Sequence, residues 1–279
     1  MASSTIKRVA ASVDNAATAQ ARVAWAASMA SAHGAQLIGL AAAQPYIPVY
    51  SPFGTELLSV QPEVIEAANK QVAALLKDAA GVFEAGARGT DSVWKESGRL
   101  MAPDHLCREA RGYDVLVMGR TGARDSADNY LGAPVAEVVL TLGRPVVVVP
   151  PEAGIFSAAR VAIAWKDRRE ARRALADALP FLNETSEVFV CAIGEEKDLA
   201  AQAQGVADYL KAHGHAAKTI VESAGKRPDS AALLEIASRV NATLLVAGAY
   251  GQSRFKEWVF GGVTRDLLDH APVPCLLSH

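Results

Sequence analysis

The chain carries one segment twice, and that repeat limits the fold more than any other feature. Residues 113–122 read YDVLVMGRTG and residues 242–251 read ATLLVAGAYG. Adding 129 to Gly119, Gly122, Gly132 and Pro145 lands without a gap on Gly248, Gly251, Gly261 and Pro274. Repetition on this scale means two copies of one unit, and 279 residues fit two domains of roughly 150 residues each. Near the start of each copy a short apolar strand leads into an Ala- and Arg-rich helical run, 8–14 then 15–33 and 160–166 then 167–182. The offset there is 152, so the first copy holds about 23 more residues. Most of the surplus falls in 44–62, where Pro45, Pro48, Pro52 and Pro62 alternate with Tyr46, Tyr50 and Phe53. Proline at that density excludes a regular helix or central strand, so the stretch is read as an ordered lid or packing loop. The copies are assigned to residues 1–150 and 157–279, with a linker over 150–157.

Within each copy, short Val-rich runs alternate with helical patterns. Strands are expected at 8–13, 36–42, 92–96, 115–118 and 146–149, with helices near 16–32, 62–85, 103–111 and 134–142. The second copy repeats the scheme with strands at 161–165, 187–193, 217–222, 244–247 and 275–277. Apolar strands with little alternation, spaced by helices, predict an α/β fold: a five-stranded parallel sheet in each copy, covered by helices on both faces. The last strand of each copy is a short apolar edge. Two such edges in one chain can pair as an internal pseudo-dimer, or each can be covered in another way. Whether two chains pair further is open at this stage.

Charge and cysteine usage exclude several classes. Twenty-eight basic against 30 acidic residues leave a net charge of -2, too little to hold nucleic acid or an anionic membrane. Cys107, Cys191 and Cys275 are far apart with no metal-ligand spacing, so they read as buried small hydrophobes. His213 and His215 lack further ligands and read as surface groups; no metal site is expected. No stretch approaches the ~20 apolar residues of a membrane span and no leader pattern opens the chain, so the expected location is cytoplasmic.

The sharpest local feature is the turn after residue 118. Gly119 and Gly122 flank it, nine residues follow, and Gly132 stands before a new helix; the second copy repeats this with Gly248, Gly251 and Gly261. Glycines allow backbone to approach a ligand, and amides at a helix start attract phosphate oxygens. Neither a Walker lysine loop nor a dinucleotide fingerprint is present. On these motifs, GRTGARDSADNYLGA over 119–133 and GAYGQSRFKEWVFGG over 248–262, with Val13-Asp14 ending the first strand, the chain resembles the universal stress protein family in its tandem form, over nearly its whole length. The resemblance implies two Rossmann-like domains of the adenine nucleotide α-hydrolase type, strand order 3-2-1-4-5, and a ligand crevice where that order reverses.

It also implies roles. Asp14 would meet an adenine edge, Gly119 and Gly122 would admit ribose and phosphate, and Gly132 with Ala133 would hold the phosphate end; Gly248, Gly251, Gly261 and Gly262 are the counterparts. ATP or AMP, with Mg accompanying ATP, is the implied ligand. The motif is imperfect in both copies. Ala133 lacks the family's hydroxyl and Pro134 an amide donor; Gly262 lacks the hydroxyl, with Thr264 nearby as a substitute; and Lys166 stands at the place of Asp14, suited to a phosphate or a salt-bridge partner. Asp14 read without the family is equally a helix N-cap. Arg120, Arg124, Arg254 and Lys256 are phosphate partners or solvated surface cations, and the aromatic set Tyr250, Phe255, Trp258 and Phe260 reads as packing before base stacking. No nucleophile, base or paired carboxylate can be assigned. The expectation is a stress-response or regulatory module that binds adenine nucleotide in at least one half and has an unidentified protein partner. Its rivals are a scaffold with decayed pockets and a slow ATP hydrolase.

Overall fold

The computed structural model describes residues 6–45, 62–120, 131–251 and 262–279. The strands are β1 Arg8–Ser12, β2 Gln36–Ala42, β3 Ser92–Ser97, β4 Val115–Gly119, β5 Val146–Val149, β6 Arg160–Trp165, β7 Glu187–Ile193, β8 Ala217–Glu222, β9 Leu244–Gly248 and β10 Cys275–Ser278. They form one sheet in the order β3-β2-β1-β4-β5-β10-β9-β6-β7-β8, so each half carries the order 3-2-1-4-5. The two sequence offsets reappear as register: Val9 pairs with Val115, and Val161, 152 residues on, pairs with Leu244, 129 residues on.

All neighbours are parallel except β5 and β10, which meet antiparallel with Leu276 opposite Val147. Both edges are four residues long and wholly buried. Each satisfies the other's unpaired backbone, which is how one chain removes two apolar edges at once. The halves are also joined by the linker. The Phe156 amide donates to Ser28 Oγ at 2.8 Å, and its ring meets Trp25 edge-on at 5.5 Å. His33 and Phe181 complete this aromatic cluster.

Helices cover both faces. On one lie α1 Ala19–His33, α2 Pro62–Gly86, α5 Arg169–Ala178 and α6 Leu199–Ala212, over a layer that includes Trp25, Phe83 and Leu210. On the other lie α3 Ala102–Glu109, α4 Val135–Thr141, α7 Asp229–Arg239 and α8 Gly262–His270, over Leu106, Val138, Ile236 and Leu267. Helix boundaries follow local chemistry. Gly34 closes α1 in the left-handed region at φ 58°, returning its N–H to Ala30 and Ser31. The run expected over 167–182 stops at Ala178, because Pro180 sits in the 3-10 turn that follows. Of the proline-rich stretch 44–62, residues 46–61 lie outside the described residues, and Pro62 opens α2 at a position where proline needs no donor.

Cys191 and Cys275 are buried as expected, and burial pushes each thiol up to about 12. Cys107 departs from that reading: it is half-buried, its Sγ 3.2 Å from Thr141 Oγ1. Among the described residues, no helix is long and apolar enough to cross a membrane.

Candidate functional site

The strand order reverses between β1 and β4 in the first half and between β6 and β9 in the second. Open α/β sheets place ligands outside the carboxyl ends of strands at such a point. In the second half β9 ends at Gly248, where a β-carbon would lie 2.5 Å from the Ala171 nitrogen and the Glu170 carbonyl carbon. Only glycine lets the first turn of α5 press onto the strand end. Tyr250 follows at φ 59°, a left-handed conformation costing a non-glycine residue on the order of 1–3 kcal/mol. Its amide donates to Oγ1 of buried Thr264 at 3.3 Å, tying the glycine turn to the first turn of α8.

Between these elements lies a cavity of about 270 Å³, just under the roughly 300–1,000 Å³ of ligand clefts. Ala164, Cys191, Ile193, Leu233 and Ala247 give it an apolar wall that belongs to the layer under α7 and α8. Its charged lining is Lys166, Arg168, Glu170 and Asp229, and Gly251 and the start of α8, Gly262, Val263 and Thr264, line it as well. A helix start presents N–H groups without internal partners and a partial positive charge, a fit for an anion. Among the described residues, nothing lies within 4 Å of where a Gly262 β-carbon would stand. Lys166 Nζ sits 3.8 Å from Asp229 Oδ2, both well exposed, a weak pair that leaves the lysine able to turn inward.

Glu170 is the unusual member, a carboxylate only 5% exposed. Burial pushes its pKa up. The hydrogen bond from Arg169 Nε at 2.5 Å, the backbone amide of Glu170 and the charges of Arg169 and His279 outweigh that and leave it lowered. It is therefore held as an anion. Among the described residues no three His, Cys, Asp or Glu groups converge on a metal position.

The first half presents the same strand ends differently. Asp14 Oδ1 accepts from Arg22 Nη2 at 2.7 Å and from the Ala16 amide at 3.1 Å, while Arg22 Nε donates to Ser12 O at 3.1 Å. Arg22 is almost wholly buried, with a side chain 4% exposed. Its guanidinium covers Gly119, where a β-carbon would fall 1.9 Å from Nη1. Asp14 is not a helix N-cap: the turn over 16–18 places Thr18 at that position, and Asp14 binds the turn's first amide and Arg22. Arg120 donates its amide to Val149 O at 3.2 Å, and its guanidinium reaches across to Ala271 O, just past the end of α8 in the other half. Ala133 is buried in the apolar layer, Gly132 precedes it, and Pro134 caps α4 with no N–H to give. Gly122, Gly261, Arg124, Arg254, Lys256, Phe255, Trp258 and Phe260 lie outside the described residues.

Two residues that matter here, Arg22 and Glu170, were not singled out from the sequence. Arg22 had a signal, being the one Lys, Arg, Asp or Glu side chain in α1. Glu170 had none, since an acid in a first helical turn ordinarily faces solvent.

A model of the universal stress protein family matches residues 5–150 and again 160–279. Among solved structures, a universal stress protein from Archaeoglobus fulgidus DSM 4304 is 17% identical, with 97% of each chain covered and a TM-score of 0.70. A putative universal stress protein from Pseudomonas aeruginosa UCBPP-PA14 is 11% identical, covering 98% of this chain and 93% of its own, with a TM-score of 0.57. At those identities the likeness is one of fold. No curated protein matches the chain.

Proposed function

The chain belongs to the universal stress protein family, and from that premise we propose that it binds an adenine nucleotide in the cavity of its second half and acts as a regulatory binding module. The observation that carries this reading is the opening of a 270 Å³ cavity onto both the Gly248–Gly251 turn and the start of α8. Its apolar wall suits a flat base, and the Gly262 and Val263 amides suit phosphate oxygens. A bound nucleotide would supply the negative charge that this helix start and Arg168 are arranged to meet.

The first half is read as a structural copy: Asp14 is engaged by Arg22, and α4 begins at a proline. Binding would act by stabilising one arrangement of the glycine turn and α8 over others, a shift of population. Titration calorimetry with ATP, AMP and cyclic AMP tests the reading, with one nucleotide per chain expected. Gly262→Glu keeps an acid where a helix start favours one, so the fold should hold. Affinity should nevertheless drop about tenfold or more, since a carboxylate then meets the phosphate. Absence of heat with all three nucleotides, together with no co-purifying nucleotide, would overturn it.

A further inference from the structure

Glu170 has a place in the cavity that the general anion-binding reading leaves unexplained. Its Oε1 is held by Arg169 Nε, while Oε2 turns toward Gly251, 2.9 Å from where a β-carbon on that glycine would stand. It lines the same cavity as the apolar Cys191, Ile193 and Leu233 and the helix start at Gly262. A buried carboxylate repels phosphate and accepts hydrogen bonds only, so whatever part of a ligand lies beside it must donate. On a nucleotide in this cavity, the base takes the apolar wall and the phosphate the amides at the helix start. The group left opposite Gly251 is the sugar, whose donors are its hydroxyls.

We propose that Glu170 is a specificity-determining residue of the second-half cavity, its Oε2 accepting a hydrogen bond from a ribose hydroxyl and so selecting ribonucleotides over deoxyribonucleotides. This rests on the adenine-nucleotide reading above and extends it to the sugar. Thr18 stands 152 residues earlier, at the corresponding place before α1, so that position in the first half holds no carboxylate. Arg169, 77% exposed, fixes the carboxylate from the solvent side and keeps it an anion, which strengthens the bond offered to a neutral hydroxyl.

The test is calorimetry of the full chain with AMP, 2'-deoxy-AMP and 3'-deoxy-AMP. Wild type should bind at least one deoxy analogue about tenfold more weakly than AMP, the loss expected for one hydrogen bond to a charged group. Glu170→Gln, which keeps an uncharged acceptor, should shrink that ratio, and Glu170→Met, which removes the acceptor at similar volume, should bring it close to one. A purely structural role for Glu170 would lower thermal stability and leave the ratio unchanged. Equal binding of AMP and both analogues by wild type would overturn the proposal even if neither variant folded, as would an undiminished ratio in Glu170→Met. Failure of every adenine nucleotide to bind wild type is a different result: it removes the reading above, and this inference falls with it.

Discussion

The two halves share strand order, register and glycine spacing, yet their helices approach the reversal point by different means. At Gly248 the nearest neighbour is the backbone of α5 itself; at Gly119 it is the end of the Arg22 side chain. Arg22 keeps α1 off the strand end and spends its guanidinium on Asp14 and Ser12. Ala174, 152 residues on and buried, lets α5 close directly onto β9. The topology therefore sets where a site can form, and one helix residue decides what the strand ends are free to bind.

This contrast has a large consequence for stability. Removing the guanidinium leaves a mostly buried carboxylate without its partner, so Arg22→Met should cost about 3–5 kcal/mol by urea denaturation. The counterpart of Asp14, Lys166, sits in an exposed pair, and Lys166→Met should cost under about 1 kcal/mol. Equal costs would erase the distinction between an internally engaged first half and a free second half.

A smaller effect sharpens the same comparison at the glycines. A methyl group on Gly248 meets main chain, which cannot move without shifting α5, so Gly248→Ala should cost about 2–3 kcal/mol from overpacking. A methyl group on Gly119 meets the Arg22 guanidinium, which can yield only by loosening its bonds to Asp14 and Ser12, so Gly119→Ala should cost a similar amount, about 2–3 kcal/mol, by the same denaturation measurement. A larger cost at Gly119 would mean that Arg22 is the more rigid wall. Either result makes these glycines packing residues before they are ligand contacts, so Gly262, whose β-carbon position no other described residue crowds, is the cleaner probe of binding.

The sequence was most informative where periodicity and repetition act together. The strands of the first half recur in the same order in the second, β1 at an offset of 152 residues and β4 and β5 at 129, and Val-rich runs leave little choice but a buried parallel sheet. The β5–β10 seam was visible as an alternative only, because the four residues of each edge say nothing about what lies beside them. Arg22 was within reach: a lone charge in a 15-residue apolar helix must find an acid, and Asp14 lies eight residues before it. Arg120 was not, since its partner is a carbonyl 151 residues away across the seam. Nor was Glu170, whose burial follows from how closely α5 approaches Gly248, a distance no local pattern encodes.

The smallest of the expected effects concerns the junction of the halves. His33 packs with Phe156 and Phe181, and its Nε2 is buried with no hydrogen-bond partner among the described residues. Burial lowers its pKa below the ordinary value. The folded state thus holds fewer protons than the unfolded chain once pH falls through about 6.5, and stability drops from there until the lowered folded value is reached. Above that window the penalty is absent. His33→Phe keeps an aromatic ring and removes the titrating group, so its melting temperature should track wild type near pH 8 and exceed it by a few degrees, roughly, near pH 5. His105 is a second buried imidazole in the first half, lowered chiefly by desolvation, and it contributes in the same direction in both proteins. The quantity to read is therefore the difference between the two melting curves across pH. A difference that stays constant would mean that the cluster of Trp25, His33, Phe156 and Phe181 joins the halves by shape alone, with no share in their response to acid.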